Sequence, residues 1–437
     1  GATAGVSVSL NIAGAQNTGG AGVDTLVSIE NLTGTNFNDT LTGKSFANTL
    51  SGLGGDDTLS GESGSDVLNG GVGNDTLNGG ADTDVLNGGT GNDTLIGGLG
   101  NDLLDGGAGI DTADYSSGVI GATAGVTVGL NVAGAQNTGG AGVDTLVGIE
   151  NLRGTNFNDT LTGKSFANTL SGLGGDDTLS GGSGSDVLNG GVGNDTLNGG
   201  TGADAMNGGD QGDIYIVDNT SDTVVETSGD SDPPGTDYDT VQSSVTYTLG
   251  YEIEDLTLTG VAAINGTGNG EDNRIFANDA NNVLMGLAGK DWLDGGSGND
   301  LLIGGAGEDL LDGGSGNDTF KYNGVSESTF LFSDDIPDFQ GLGSSAGDQI
   351  DLTAIDANAM LGGNQAFTYV GEAEFGTSGP FWNPFGVGEL QYVEYAGGRD
   401  LRANTDADLE AEFVIQFINP PPALFVNSAF FGTDVLL

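Results

Sequence analysis

Apolar residues recur along this chain at every ninth position, each between polar neighbours. From residue 70 the chain reads GGVGNDTLN (70–78), GGADTDVLN (79–87), GGTGNDTLI (88–96) and GGLGNDLLD (97–105). The first six positions of each nonad are Gly-rich and polar, which suits a tight turn, because Gly adopts positive φ without steric cost. Positions 7–9 alternate polar, apolar, polar, the pattern of a half-buried strand. A three-residue strand cannot stand alone. Stacked coils would pair such strands in parallel and turn position 8 inward. Two nonads then make one 18-residue coil with a strand on each side, and successive coils lie about 4.8 Å apart. Leu68, Leu86 and Leu104 are expected in one inward row, and Leu59, Leu77 and Leu95 in the other. The predicted fold class is all-β: a parallel β-roll or β-solenoid of nonads, followed by a small β-rich C-terminal domain.

The register persists over three runs: ten nonads over 25–114, eight over 145–216 and six over 268–321. The expected organisation is a strand-rich leader (1–24), roll 1 (25–114), a strand-rich spacer (115–144), roll 2 (145–216), a second spacer (217–267), roll 3 (268–321) and a C-terminal domain (322–437). The first spacer carries GVTVGLNV and the leader its counterpart GVSVSLNI; the second carries TVVET, SVTYTLG and IEDLTLTG. All read as strands, so the solenoid is expected to continue through them, with the Pro233-Pro234-Gly235 stretch as a loop tip. A longer period of 120 residues repeats 1–80 as 121–200 with six differences, Glu62 against Gly182 among them. This points to a duplicated modular unit. In 322–437 the nonad stops, Phe and Tyr rise, and strand and short helix signals mix.

Composition sharpens the picture. Of 437 residues 85 are Gly, a level that would suggest low complexity without the strict period. Acidic residues number 62 against 8 Lys plus Arg, a net charge of -54, and His and Cys are absent. No His excludes Ser-His-Asp triads and His-zinc sites. No Cys excludes disulfides, thiolate nucleophiles and Fe–S clusters. The charge repels nucleic-acid phosphates. No run of 18 apolar residues is present to span a membrane, and no basic-plus-apolar signal opens the chain. Opening on Gly1 rather than Met is expected of a fragment or processed product.

Stacking the nonads also stacks their acids. Position 6 holds Asp57, Asp66, Asp75, Asp84, Asp93, Asp102 and Asp111 in the first run, so Asp75 would lie between Asp57 and Asp93. Like charges about 5 Å apart repel by roughly 1 kcal/mol in water and roughly 3 at an effective dielectric of 20. Cations between the turns would relieve this. Carboxylates with turn carbonyls form an all-oxygen site suited to Ca²⁺, which tolerates irregular geometry better than Mg²⁺, and calcium would then drive folding.

The pattern GGxGxDxUx resembles the RTX, or haemolysin-type, calcium-binding repeat, whose relatives form a parallel β-roll. The resemblance implies that position-6 carboxylates bind several Ca²⁺ ions between stacked turns, with backbone carbonyls completing the shell. The implied ligands are Asp39 and the seven aspartates above; Asp159, Asp177, Asp186, Asp195, Asp204 and Asp213; and Asp291, Asp300, Asp309 and Asp318. Asn48, Asn168, Asn273 and Asn282 replace Asp, and Glu30 and Glu150 hold the slot at the run starts, which marks those turns as calcium-poor. Asp82 and Gln211 replace the position-4 Gly. FLFSDDIPDF and GDQIDLTAID (within 330–356), GELQY (388–392) and EAEFVIQF (410–417) resemble the C-terminal domain of serralysin-type secreted proteases, without their zinc protease domain. The ending FGTDVLL (431–437) resembles an uncleaved type I secretion signal.

Other motifs read more plainly as structure. Gly343-Ser344-Ser345-Ala346-Gly347 matches GxSxG but lacks a His base and a strand-to-helix setting. Gly43-Lys44-Ser45 and Gly163-Lys164-Ser165 end like a P-loop, but Asn38 and Asn158 stand where its Gly belongs, so these Lys are expected on the roll surface. Among 62 acids, carboxylate pairs of glycosidase type are inevitable and carry little information. Asn404, Asp406, Asp408 and Glu410 alternate like an EF-hand loop without its Gly. Phe381-Trp382-Asn383-Pro384-Phe385 is expected to close a small core, and Trp292, at position 7, to face outward as a packing contact.

The functional expectation is a non-catalytic, calcium-folded, extracellular or cell-surface module exported by type I secretion machinery. One alternative is a surface-layer or structural protein that self-assembles in calcium, with other copies of itself or cell-surface glycans as partners. Another is the C-terminal part of a secreted protease, lipase or polysaccharide epimerase with its catalytic domain upstream.

Overall fold

The computed structural model describes residues 3–116, 124–226, 238–329, 331–340, 347–355, 368–374, 389–395, 398–405, 413–417 and 435–436. The described residues form strands and turns with no helix. The Gly-rich loop 343–347 falls almost wholly outside these residues, as do the aromatic loop 381–385 and Asp406, Asp408 and Glu410. The chain divides into two compact units, Gly1–Asp237 and Tyr238–Leu437.

In the first unit the nonads stack as a parallel solenoid. Leu86 lies in register between Leu68 and Leu104, and Leu77 between Leu59 and Leu95. These six side chains are fully buried, so both predicted rows are present. The strands are longer than the three residues expected. Val67–Val72, Thr76–Ala81 and Val85–Thr90 run on through the two Gly of the next nonad. Gly89 pairs with Gly71 and Gly107, so the Gly that makes the turn also extends the ladder.

One side of the solenoid is unbroken through the first spacer. Thr112–Asp114 pairs with Asn151–Arg153, which carries the row from Ala113 to Leu152 and on to Leu170, Leu188 and Met206. The opposite side changes sheets. Leu104 is followed in register by Leu146, where that sheet ends against Gln136–Asn137. A new row starts with Val128 and continues through Leu161, Leu179 and Leu197 to Tyr215. The leader repeats this opening, with Ser7–Ser9 paired to Thr40–Thr42.

In the second unit Val241, Leu256, Ile275, Leu293 and Leu311 form one row, and Leu284, Leu302, Phe320 and Ile350 the other. The C-terminal region adds to both. Asp334–Ile336 pairs in parallel with Phe413–Phe417, which continues antiparallel to Gly398–Asn404 and then Glu389–Tyr395. Val435–Leu436 pairs with Ile350 and Asp351. Phe320, Tyr322, Phe339, Phe413 and Phe417 are buried together, with Tyr322 edge-on to Phe413 at 4.9 Å. The rise in aromatic residues thus marks where a wider core replaces the narrow Leu rows. Trp292 is partly exposed and edge-on to Phe276 at 5.3 Å, which is its packing contact.

A candidate metal centre repeated along the solenoid

Each site begins with the position-6 aspartate. Parallel stacking places one such residue 18 positions after another, in the next coil. The later carboxylate turns back along the stack, and its Oδ1 accepts the backbone N–H of the earlier residue. The bonds from Asp57 to Asp75, Asp66 to Asp84 and Asp93 to Asp111 are each 2.8 Å. The same bond recurs in the other rolls, from Asp177 to Asp195 at 2.7 Å and from Asp291 to Asp309 at 2.9 Å. Columns of carboxylates result, each nearly devoid of solvent contact.

The second oxygen is different. Oδ2 is buried without a hydrogen-bond partner in fifteen of these residues: Asp57, Asp66, Asp75, Asp84, Asp93, Asp102, Asp111, Asp177, Asp186, Asp195, Asp204, Asp291, Asp300, Asp309 and Asp318. A buried carboxylate oxygen without a donor costs several kcal/mol in general, and here the cost recurs along every roll. The Gly at position 1 makes the space. A Cβ on Gly70 would lie 2.3 Å from Asp75 Oδ2 and 2.7 Å from the Gly88 carbonyl oxygen, and one on Gly88 would meet Asp93 Oδ2 and the Gly106 oxygen at the same distances. Carbonyl oxygens therefore converge where the orphaned carboxylate points. This oxygen-only set fits a hard cation such as Ca²⁺.

Burial also shifts the protonation equilibrium. Desolvation, only partly offset by the backbone N–H bond, pushes Asp57, Asp75 and Asp102 up to about 6. Asp84, Asp291 and Asp318 rise to about 7 and Asp177 to about 8, with neighbouring acids of the column adding to burial. These carboxylates are held in a place that disfavours their charge unless a positive charge joins them.

The other sequence-predicted residues behave differently. Asp39 and Asp159 stand in the columns, but their Oδ2 accepts the backbone N–H of Thr35 and of Thr155. Asp213 accepts the Asp195 N–H at 2.7 Å. Asp82 and Gln211, at position 4, adopt φ of 77° and 78° without a Gly, so Asp84 and Asp213 keep their places. Lys44 and Lys164, expected on the roll surface, are half-buried there. Their ammonium groups turn inward to the carbonyls of Ile29 and Ile149, 2.7 and 2.5 Å away.

The structure also adds members to the columns beyond the implied ligands, three of which fall outside the nonad count. Asp144 accepts the Asp102 N–H across 42 residues, and Glu150 accepts that of Asp111 across 39. Asp222, Asp334 and Asp348 receive those of Asp204, Asp309 and Asp318. Steps of 42, 25 and 30 residues in place of 18 hide Asp144, Asp334 and Asp348 from a fixed period. The available signal was local: Gly142-Val143-Asp144-Thr145-Leu146 keeps the glycine, aspartate and apolar spacing of the nonad's second half, and Asp348-Gln349-Ile350 keeps its aspartate and apolar spacing.

The nonads match a known repeat family. The family description "RTX calcium-binding nonapeptide repeat (4 copies)" matches residues 33–68, 42–77, 51–86, 60–95, 78–113, 153–188, 180–215, 267–302 and 285–320. The solution structure of the AlgE6R3 subunit from the Azotobacter vinelandii mannuronan C5-epimerase is similar over 38% of this chain and 78% of that one, at 22% identity and a TM-score of 0.25. No curated protein matches the chain.

Proposed function

We propose, from the premise that this chain carries RTX calcium-binding nonapeptide repeats in three rolls, that it is a calcium-folded extracellular module exported unfolded and without catalytic activity of its own. The observation that carries this reading is the set of buried Asp Oδ2 atoms without partners. Bound Ca²⁺ would supply the positive charge that these carboxylates lack. The chain's own residues do the rest. Asp75, Asp93 and their counterparts orient by Oδ1 on the backbone of the previous coil. The position-1 Gly leaves room for Oδ2 and presents a carbonyl beside it. The Leu rows then close the interior.

Where calcium is scarce, column repulsion and a net charge of -54 oppose stacking. Where calcium is plentiful, each coil lowers the cost of the next, as in other one-dimensional repeats. Export through type I secretion machinery, with 431–437 as its signal, fits a chain that stays open until it leaves the cell. Weak sites of roughly 10⁻⁴–10⁻³ M suffice outside cells.

Sedimentation velocity in chelator and then in ~10 mM Ca²⁺, above those weak affinities, tests the reading. The expected result is an expanded species that becomes a compact monomer. Large chelator-reversible polymers would instead favour a self-assembling structural protein, and an unchanged sedimentation coefficient would exclude calcium-driven folding.

A further inference from the structure

The position-6 residues fall into two classes, and position 2 of the nonad separates them. In each of the fifteen nonads whose Oδ2 lacks a partner, position 2 is left-handed, even when it is not Gly: Leu53 has φ 82°, Glu62 79°, Leu173 85° and Leu287 85°. No such φ occurs at Thr35, Lys44, Thr155, Lys164, Asn269 or Asn278. In the first five of these six nonads the position-2 N–H donates to the position-6 side chain, at 2.7 Å from Lys44 to Asn48, Lys164 to Asn168 and Asn269 to Asn273.

Four of these six nonads, those with Asn at position 6, carry side-chain donors where the others leave carbonyls facing a carboxylate. Asn48 and Asn168 donate Nδ2–H to the carbonyls of Glu30 and Glu150, at 2.6 and 2.5 Å. Beside them the Lys44 and Lys164 ammonium groups reach Glu30 and Glu150 carboxylates at 3.4 and 2.9 Å as well as the isoleucine carbonyls. In roll 3 neutral amides take the part of the ammonium: Asn269 Nδ2 donates to the Gly250 and Ile253 carbonyls and Asn278 Nδ2 to that of Ala262. Asn282 donates to the Ile264 carbonyl, and its own oxygen, which is neutral, stays unpartnered. Wherever position 6 is Asn, position 2 is thus Lys or Asn, and both groups point at carbonyls of the preceding turn.

These nonads are not scattered. They are 34–42 and 43–51, 154–162 and 163–171, and 268–276 and 277–285, each pair one 18-residue coil immediately before the first unpartnered carboxylate of its roll, Asp57, Asp177 and Asp291. We propose that this coil, which precedes the first unpartnered carboxylate of every roll, is sealed by the protein's own N–H groups and takes no calcium, so that the calcium-binding part of each roll grows from a metal-independent coil. Lys44 and Lys164 stand where a cation would otherwise be required, as covalently attached positive charges. The inference rests on the calcium reading of the rolls, and its test separates the two.

Crystals of the full chain grown in calcium, or exchanged into terbium, should give anomalous-scattering peaks at the carboxylates from Asp57, Asp177 and Asp291 onward. None should lie beside Lys44, Lys164 or Asn273. A peak beside any of those three overturns the proposal while leaving the calcium reading intact, whereas a map without peaks anywhere overturns both. Native mass spectrometry gives a second measurement. K164G/F166G/N168D removes the ammonium and the amide and restores Gly at positions 2 and 4. It should bind at least one more Ca²⁺ than the wild-type chain at saturation, and an equal count would contradict the proposal.

Discussion

Acid should substitute for calcium. In chelator the perturbation is a shift from pH 7.5 to pH 5. Twelve position-6 aspartates are pushed up to between about 6 and about 8, first by burial. A folded-state value above the unfolded one means that the native state binds more protons. Its stability is therefore greatest below about pH 4 and falls as pH rises through the folded values near 6 to 8. A shift of two units corresponds to about 3 kcal/mol, and water at the open turns reduces this to ~1 kcal/mol per group. Over twelve groups the full penalty reaches about 12 kcal/mol, and roughly half of it is relieved by pH 5, still comparable to the ~5–15 kcal/mol that holds an ordinary domain together. The metal-free chain should be unfolded at pH 7.5 and gain β-structure and compaction by pH 5, where exposed carboxylates are still ionised and keep it soluble. In calcium the dependence reverses, because protons compete for the same oxygens. Far-UV circular dichroism and sedimentation velocity, each with and without chelator, read both arms. Equal disorder at the two pH values in chelator, or greater stability in calcium at pH 5 than at pH 7.5, would refute the argument.

Further outcomes follow from single positions. Leu86→Ala empties a fully buried site between Leu68 and Leu104 and should cost about 3 kcal/mol in denaturant unfolding at saturating calcium. Glu62→Gly relieves a left-handed φ of 79° at an exposed residue whose counterpart in the second copy, Gly182, has φ 104°. The relief of ~1–2 kcal/mol exceeds the ~0.4–1 kcal/mol entropy cost of Gly, so the thermal midpoint in calcium should rise slightly, and a fall would contradict the strain argument. Asp84→Asn keeps the oxygen that accepts the Asp66 N–H at 2.8 Å but replaces the unpartnered Oδ2 with an amide. Its thermal midpoint in calcium should drop, whereas a rise would mean that Asp84 holds no cation.

Much of this was legible from residue order alone. A nine-residue period with one apolar position dictates parallel strands with inward Leu rows, because only stacking in register gives each short strand partners and buries Leu68, Leu86 and Leu104 together. The same period stacks the aspartates, so the charge problem and its all-oxygen character could be read before any coordinate. Tertiary structure decided which members of the columns are equivalent. Asp39 and Asp57 share a position in the nonad, yet the Oδ2 of Asp39 accepts the Thr35 N–H and that of Asp57 has no partner, because Leu53 adopts a left-handed φ that Thr35 does not. Backbone conformation at position 2 is not fixed by residue type, since Leu53, Glu62 and Leu173 adopt the form usually reserved for Gly when the coils above and below hold them there. Asp144 and Asp334 likewise joined the columns only across insertions that no period encodes. Local pattern fixes what repeats, but whether a buried oxygen finds a donor depends on atoms a full coil away.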